Sequence, residues 1–212
     1  MNTATFDIAV LISGSGSNLQ ALIDQQQGFG YRIVCVLSNK ADAYGLVRAQ
    51  QAHIATRIVD HKAYDSREAF EQAMIVAIDE FQPKLVVLAG FMRILTPLFI
   101  SHYEQRLLNI HPSLLPKFKG THTHEQAIAA GETEHGASVH WVIPELDSGR
   151  VIAQESVPIL ADDTAEVLAK RVLTVEHQLY PAVVAAIAQG KIRADDHSDP
   201  LTLSQLLHKV VS

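Results

Sequence analysis

The stretch LLNIHPSLLPKFKGTHTH, residues 107–124, holds the side chains best suited to chemistry. Asn109 and His111 stand two residues apart at the end of an apolar run, and prolines follow at 112 and 116. On a strand, positions i and i+2 lie on the same face of a sheet. In α/β proteins, ligands usually bind beyond the carboxyl ends of the strands. Asn109 and His111 are therefore candidate active-site residues.

An amide, an imidazole and a carboxylate together suit attack of a nucleophile on a carbonyl. Asn109 can stabilise a developing oxyanion, while His111 gains and loses a proton near neutral pH. Asp147, in a later turn, would favour the protonated form of His111 if the turn folds over the strand end. No serine or cysteine is an evident nucleophile, which favours direct transfer to an external amine. The plain alternative is that Asn109 and His111 only cap a strand.

Alternating strands and helices are predicted to position these side chains. The predicted strands are 6–13, 32–39, 55–60, 84–90 and 106–111, and the predicted helices are 17–26, 45–54 and 66–81. Strands too apolar to alternate, separated by helices, indicate a parallel sheet covered on both faces. The predicted fold is α/β: a single doubly wound, mostly parallel, Rossmann-like sheet with helices on both faces.

The second half of the chain departs from this alternation. Residues 136–145 and 151–160 flank the turn-like LDSGR and predict a C-terminal antiparallel hairpin. Residues 164–189 predict a long helix with a kink or break at Pro181. We expect one catalytic domain over residues 1–190, and a tail over 191–212 with a short amphipathic segment.

Composition narrows the class of protein. With 17 basic against 23 acidic residues among 212, the chain lacks the basic excess typical of nucleic-acid binders. No apolar run approaches the roughly 20 residues that cross a bilayer, and the N-terminus lacks a signal-peptide pattern. The lone Cys35 fits a reducing compartment. We expect a cytoplasmic protein without nucleic-acid or membrane partners.

A glycine-rich turn, SGSGSN, joins the first predicted strand to the first helix. Backbone N–H groups at a helix start bind anions well. The dinucleotide fingerprint would need a third glycine where Leu19 stands, and the phosphate-loop lysine is missing. The turn therefore favours a monophosphate site over a nicotinamide site, with a well-capped tight turn as the alternative.

Motifs along nearly the whole chain resemble the folate-dependent phosphoribosylglycinamide formyltransferases, also called glycinamide ribonucleotide transformylases. The similar stretches are VLISGSGSNLQALI, LSNKADAYGL, DSREAF, VVLAGFMRIL, LLNIHPSLLP, GTHTHEQAI, HGASVHWV, ELDSG and VEHQLYP. NIHPSLLP marks the wider formyltransferase group, while THTH and the SGSGSN turn point to the purine enzymes within it.

This resemblance implies transfer of a formyl group from 10-formyltetrahydrofolate, the co-substrate, to the amine of glycinamide ribonucleotide. It implies that Asn109 binds the formyl oxygen, His111 handles protons and Asp147 favours protonated His111. The substrate-binding residues it implies are Gly16, Ser17, Asn18, Leu173, Thr174, Val175 and Glu176. The folate-binding residues it implies are Arg67, Met92, Arg93, Ile94, Leu95, Ile143, Pro144, Glu145 and Leu146. It implies no metal, small-molecule partners, and a monomer or weak homodimer.

Two positions depart from the family pattern. Arg150 stands where the family usually has proline after Asp-x-Gly, which is expected to loosen this loop and add a charge. Leu173 replaces a polar residue of some relatives, which leaves a backbone contact at that position.

Rival interpretations start from the same residues. His122, His124, His135 and His140 could bind zinc with Asp147, although no cysteine pair or HExxH helix supports a metal site. His122 and His124 are instead expected to line the substrate pocket, and His135 and His140 to make polar contacts in the hairpin or core.

Three other functions share parts of the pattern. A hydrolase could pass the formyl group to water, but the deformylases carry an added N-terminal domain, and this chain begins at the first strand. A methionyl-tRNA formyltransferase needs a basic appended domain, unlike the acidic tail here. A role as a nucleotide sensor would explain the glycine-rich turn but would leave Asn109, His111 and Asp147 unexplained.

Overall fold

A computed structural model describes residues 5–211 of the chain. Seven strands form one sheet in the order β3-β2-β1-β4-β5-β6-β7. The strands are β1 Phe6–Ile12, β2 Tyr31–Ser38, β3 Thr56–Ile58, β4 Leu85–Leu88, β5 Leu107–His111, β6 Glu134–Trp141 and β7 Val151–Pro158. The helices are α1 Ser17–Phe29, α2 Tyr44–Gln51, α3 Arg67–Asp79, α4 Pro97–His102, α5 Thr123–Ala129, α6 Ala165–Ala188 and α7 Leu203–Val211. The predicted mostly parallel α/β sheet is confirmed.

Backbone contacts divide the chain into two compact units, Met1–Leu108 and Asn109–Ser212, of which residues 1–4 and 212 lie outside the described part. In the first unit, β1 pairs in parallel with both β2 and β4, and β2 pairs in parallel with β3. Ile8 through Ile12 are fully buried, because a central parallel strand is covered on both faces.

Helix α3 shows why its sequence folds as predicted. The Ser66 hydroxyl accepts a hydrogen bond from the Ala69 N–H at 3.0 Å, which caps the helix start. Phe70, Met74 and Ile78 follow at helical spacing and are at most 2% exposed. Apolar positions repeating every three to four residues bury one helix face against the sheet.

The second unit contains the predicted antiparallel hairpin. β6 pairs antiparallel with β7, with Gly136 opposite Ser156 and a register shift between Val139 and His140. A side chain at Gly136 would meet the Glu155 carbonyl oxygen at 2.1 Å, so the pairing requires glycine there.

Helix α6 runs without interruption through Pro181. The break that the sequence predicts as one alternative is not observed. Tyr180, Pro181 and Ala182 are all buried, so tertiary packing of this apolar stretch outweighs the lost backbone hydrogen bond.

Within the second unit, the C-terminal segment packs against β7. Leu201 exchanges backbone hydrogen bonds with Ile152 and Gln154 of β7, each at 3.0 Å. Helix α7 follows within the segment that the sequence pattern marks as amphipathic, and it buries Leu206 and Val210. No helix within residues 5–211 has the length and apolarity needed to cross a bilayer.

Candidate active site

His111 ends β5, is 5% exposed, and has partners near both ring nitrogens. The Phe118 carbonyl oxygen lies 2.8 Å from Nε2, so this nitrogen carries a proton and donates. Nδ1 faces Oδ2 of Asp147 at 3.5 Å. Together these two contacts hold the ring in one orientation.

Asp147 is held by its own loop. Its φ of 47° lies in the left-handed region, which is uncommon for a residue with a side chain. The Gly120 N–H donates to Asp147 Oδ2 at 2.9 Å. Two residues later, a Cβ on Gly149 would lie 1.7 Å from the Trp141 carbonyl oxygen, so the loop packs directly on β6. The backbone thereby directs the carboxylate toward the imidazole.

Asn109 is oriented by a residue of β6. The Trp141 carbonyl lies 2.9 Å from His140 Nδ1, so that nitrogen is the protonated one and Nε2 is an acceptor. Asn109 Nδ2 donates to this acceptor at 3.2 Å. One N–H of the amide is thereby used to fix it, and the other stays available as a donor.

Burial keeps His140 in the role of acceptor. The residue is 2% exposed, and desolvation lowers its pKa, with the nearby charge of His111 acting in the same direction. The Trp141 carbonyl and Asp147 oppose this shift. A neutral His140 at physiological pH can accept the Asn109 hydrogen bond, which an imidazolium could not.

His124 and His135 pack edge to face, with ring centroids 5.1 Å apart. Burial lowers the pKa of both and takes that of His135 to about 4, with His124 as the next cause. Atoms His124 Nδ1 and His135 Nε2 are buried without a hydrogen-bond partner. Burial therefore favours the neutral form of both imidazoles.

This pair predicts a loss of stability in mild acid. Because the pKa of His135 is about 4 in the folded protein and about 6.5 in an unfolded chain, the unfolded state binds more protons between these values. The free energy of unfolding should be fully retained above pH 6.5 and fall by about 2–3 kcal/mol toward pH 4. Urea unfolding of His135→Phe should show a shallower pH dependence, and the exposed His208→Gln should match the wild type. An unchanged slope in His135→Phe would contradict this.

The metal interpretation finds no support in the structure. Among residues 5–211, no group of three or more His, Cys, Asp or Glu side chains is arranged to hold a metal ion. His122 is 75% exposed at its side chain and faces Glu125, while His135 and His140 are buried on β6, where polar contacts were expected.

The glycine-rich turn lies in the first unit. Gly16 is the N-cap of α1 with φ 70°, and no side chain caps the helix there. This disfavours the interpretation as a well-capped turn. A Cβ on Gly16 would lie 2.6 Å from Gly45 Cα, so glycine is needed for both the angle and the close approach. The Arg48 guanidinium reaches the Ser15 carbonyl at 2.9 Å. The start of α1 thus lies beside a basic side chain and has no side-chain cap.

The predicted folate-binding residues are distributed over both units. In the first, Arg67 starts α3 at the surface, and Met92–Leu95 form an irregular segment after β4. In the second, Ile143–Leu146 are exposed and lead directly into Asp147. Of the predicted substrate residues on α6, Thr174 is exposed and Glu176 is 7% exposed.

The Arg150 loop has a partner that its sequence did not suggest. The Arg150 guanidinium donates to the Arg193 carbonyl oxygen at 3.0 Å, and the Arg150 carbonyl accepts from the Trp141 N–H at 3.0 Å. The loop after Asp147 is thus attached both to β6 and to the C-terminal segment.

Sequence reasoning missed the Phe118 carbonyl, because a backbone group leaves no signal in residue type. The contact between His140 and Asn109 is likewise missed, because residue types alone do not show which side chains of two different strands meet. One signal was present, since the alternation of HGASVHW predicts His140 on a strand.

Comparisons with known proteins show the family to which the chain belongs. The formyl transferase family model matches residues 6–184. Phosphoribosylglycinamide formyltransferase of Escherichia coli is 53% identical over 194 residues, which cover 91% of this chain and 92% of that protein. The human trifunctional purine biosynthetic protein adenosine-3 is 45% identical over 90% of this chain, which spans 19% of that longer protein.

A solved structure shows the same fold. The phosphoribosylglycinamide formyltransferase of Coxiella burnetii, in complex with CHES, superposes with a TM-score of 0.86 at 52% identity, covering 92% of this chain and 91% of that one. The chain is an enzyme of the formyl transferase family. Within that family it belongs with the phosphoribosylglycinamide formyltransferases.

Proposed function

We propose that the protein transfers a formyl group from 10-formyltetrahydrofolate to the amino group of glycinamide ribonucleotide in de novo purine biosynthesis. The observation that carries the chemistry is the 3.5 Å approach of His111 Nδ1 to Asp147 Oδ2, beside an Asn109 amide fixed by His140. Family membership supports the class of reaction.

In the proposed reaction, the amine nitrogen attacks the formyl carbon, and a C–N bond forms as the carbonyl electrons move to oxygen. The free N–H of Asn109 donates to this oxyanion. The amine loses a proton, the folate N10 gains one as its bond to carbon breaks, and His111 passes the proton between them. Asp147 stabilises the imidazolium that this transfer forms.

The contact to Phe118 sets a condition on this step. Nε2–H of His111 donates to the Phe118 carbonyl, and Nδ1 faces Asp147. A proton can reach the reacting atoms only when one of these partners is exchanged for substrate. We infer that the Phe118 hydrogen bond is the one exchanged, because losing the carboxylate would leave a buried charge unpaired.

The remaining site residues follow the family resemblance. We propose that Gly16, Ser17 and Asn18 bind the substrate phosphate at the start of α1, since that helix start has no side-chain cap. Glu176, with Leu173–Val175, is proposed to hold the amine substrate. Arg67, Met92–Leu95 and Ile143–Leu146 are proposed to bind the folate.

The proposal extends to organisation and setting. We assign catalysis to a domain of residues 1–190, with 191–212 as a C-terminal tail, acting without a metal in the cytoplasm as a monomer or weak homodimer. Its partners are the two small-molecule substrates rather than nucleic acid or membrane.

A single assay tests the proposed reaction. Purified protein is mixed with 10-formyltetrahydrofolate, with and without glycinamide ribonucleotide, and release of tetrahydrofolate is followed. We expect release of tetrahydrofolate only when glycinamide ribonucleotide is present, because its amine is the acceptor of the formyl group. Equal release without the amine would indicate hydrolysis, and no release in either mixture would favour a sensor; both results contradict the proposal.

A further inference from the structure

The segment Met92–Leu95 presents large apolar side chains to solvent from an irregular backbone. Met92 is 69% exposed and Ile94 is 59% exposed, whereas Leu95, the last residue of the segment, is buried. Irregular segments hold a defined shape only when other groups fix their ends, because they lack a regular hydrogen-bond ladder. Both ends of this segment are fixed by buried polar side chains of the first unit.

Ser13 holds the N-terminal end. The Met92 N–H donates to Ser13 Oγ at 2.8 Å, and the same hydroxyl donates to Asn39 Oδ1 at 2.6 Å. Ser13 is 4% exposed and Asn39 is 1% exposed. Since the hydroxyl proton is committed to Asn39, the lone pairs of Oγ face Met92, and the end of the segment is fixed to the end of β1.

Glu71 holds the C-terminal end. Its side chain projects from α3 and is 0% exposed. Oε1 accepts from the Thr96 N–H at 2.8 Å, and Oε2 accepts from the Thr96 hydroxyl. Within residues 5–211, no lysine, arginine or histidine forms a salt bridge with Glu71.

A carboxyl group in this position is costly for the fold. Removing an acidic group from water is unfavourable unless strong hydrogen bonds replace hydration, and an apolar residue of the same size would fill the space without that cost. Both carboxylate oxygens of Glu71 accept hydrogen bonds from one residue, Thr96. The buried group therefore serves the geometry of Thr96 and of the segment that ends there.

We propose that Glu71 and Ser13 are positioning residues for the folate donor, which fix Met92–Leu95 in the shape that binds it. The inference rests on the proposed function, because that function assigns the segment to folate binding. Neither residue needs to touch the ligand. Glu71 acts through Thr96, and Ser13 acts through the Met92 N–H.

Calorimetric titration with tetrahydrofolate, the reaction product, tests this without requiring turnover. Glu71→Leu keeps an apolar filling but removes both acceptors, so Thr96 loses its partners. We expect tetrahydrofolate to bind about tenfold more weakly or worse, while binding of glycinamide ribonucleotide stays unchanged. Glu71→Gln retains an acceptor for the Thr96 N–H and should recover most of the affinity. In the formylation assay, the KM for the folate donor should rise while kcat is largely retained.

A control variant on the same helix distinguishes a positioning role of Glu71 from a purely structural one. Ile78→Ala removes a fully buried side chain two turns along α3 and should lower the unfolding temperature. It should leave tetrahydrofolate affinity unchanged. If Glu71→Leu does not fold, two milder variants replace it. Thr96→Val removes only the hydroxyl that Glu71 accepts from, and Ser13→Ala removes only the hydroxyl that the Met92 N–H donates to. Each single variant should weaken tetrahydrofolate binding.

The two anchors should also be coupled. Because both fix one segment, the combined loss of affinity in Thr96→Val with Ser13→Ala should differ from the product of the single losses. Equal tetrahydrofolate affinity in wild type, Glu71→Leu and Thr96→Val would overturn the inference while leaving the proposed function standing. Failure of the wild type to bind tetrahydrofolate would overturn the proposed function itself, and this inference with it.

Discussion

Asn109→Ala is expected to lower kcat by about 10²–10³-fold without loss of the fold. The variant removes the side-chain donor that the proposed reaction assigns to the oxyanion, and a missing donor of this kind costs about 3–4 kcal/mol in other enzymes. It also leaves Nε2 of His140 without its partner in a site where His140 is 2% exposed. Steady-state kinetics with both substrates, together with circular dichroism, measure the effect.

Asn109→Asp provides the sharper comparison. It keeps the size of the side chain but replaces the N–H donors with an acceptor, so it should be at least as impaired as the alanine variant. Near-full turnover in Asn109→Ala, with the fold intact, would show that the assigned role is wrong.

Asp147→Asn is expected to reduce kcat by roughly 10²–10⁴-fold, the range that general acid–base assistance contributes. An amide at this position can still accept the Gly120 N–H, so the loop keeps one of its hydrogen bonds. It removes the negative charge 3.5 Å from His111 Nδ1, and the imidazolium formed in proton transfer loses its stabilisation. Rapid-mixing or steady-state rates at saturating substrates measure this loss.

Asp163→Asn is the control for removing an ion-paired carboxylate from the same unit. The Arg171 guanidinium, as the largest cause, lowers the pKa of Asp163 to about 2, so its charge also stabilises the fold. This variant should unfold at a lower temperature and keep its kcat. If Asp147→Asn instead behaves like Asp163→Asn, the carboxylate of Asp147 has only a structural role.

The sequence predicted the parts of the site that depend on strand periodicity. Asn109 and His111 share a face of β5 because side chains alternate along a strand, and Asp147 follows from the turn between two hairpin strands. The side-chain partner of Asn109 could not be predicted, because contacts between β5 and β6 depend on packing between distant segments. The same is true of Glu71 and Thr96, which are 25 residues apart.

The sequence predicted those strands and helices that have several apolar residues at regular spacing. Every predicted strand and helix is present, with ends displaced by a few residues, but the short helices α4 and α5 were not predicted. With six and seven residues, these helices are too short for a repeating apolar pattern and depend on their surroundings. In α6 the local pattern was misleading instead: Pro181 predicts a kink or a break, but the helix continues through it because the surrounding residues are buried.

The attachment of Leu201 to β7 has a consequence for the behaviour of the protein in concentrated solution. An outermost strand with open N–H and C=O groups is a template on which a second molecule can add a strand and begin to polymerise. Leu201 occupies the hydrogen-bonding positions of Ile152 and Gln154 on that outer side, and α7 then lies over the neighbouring surface. At Ile152 and Gln154, this edge of the sheet therefore has no open backbone groups to offer to a second molecule.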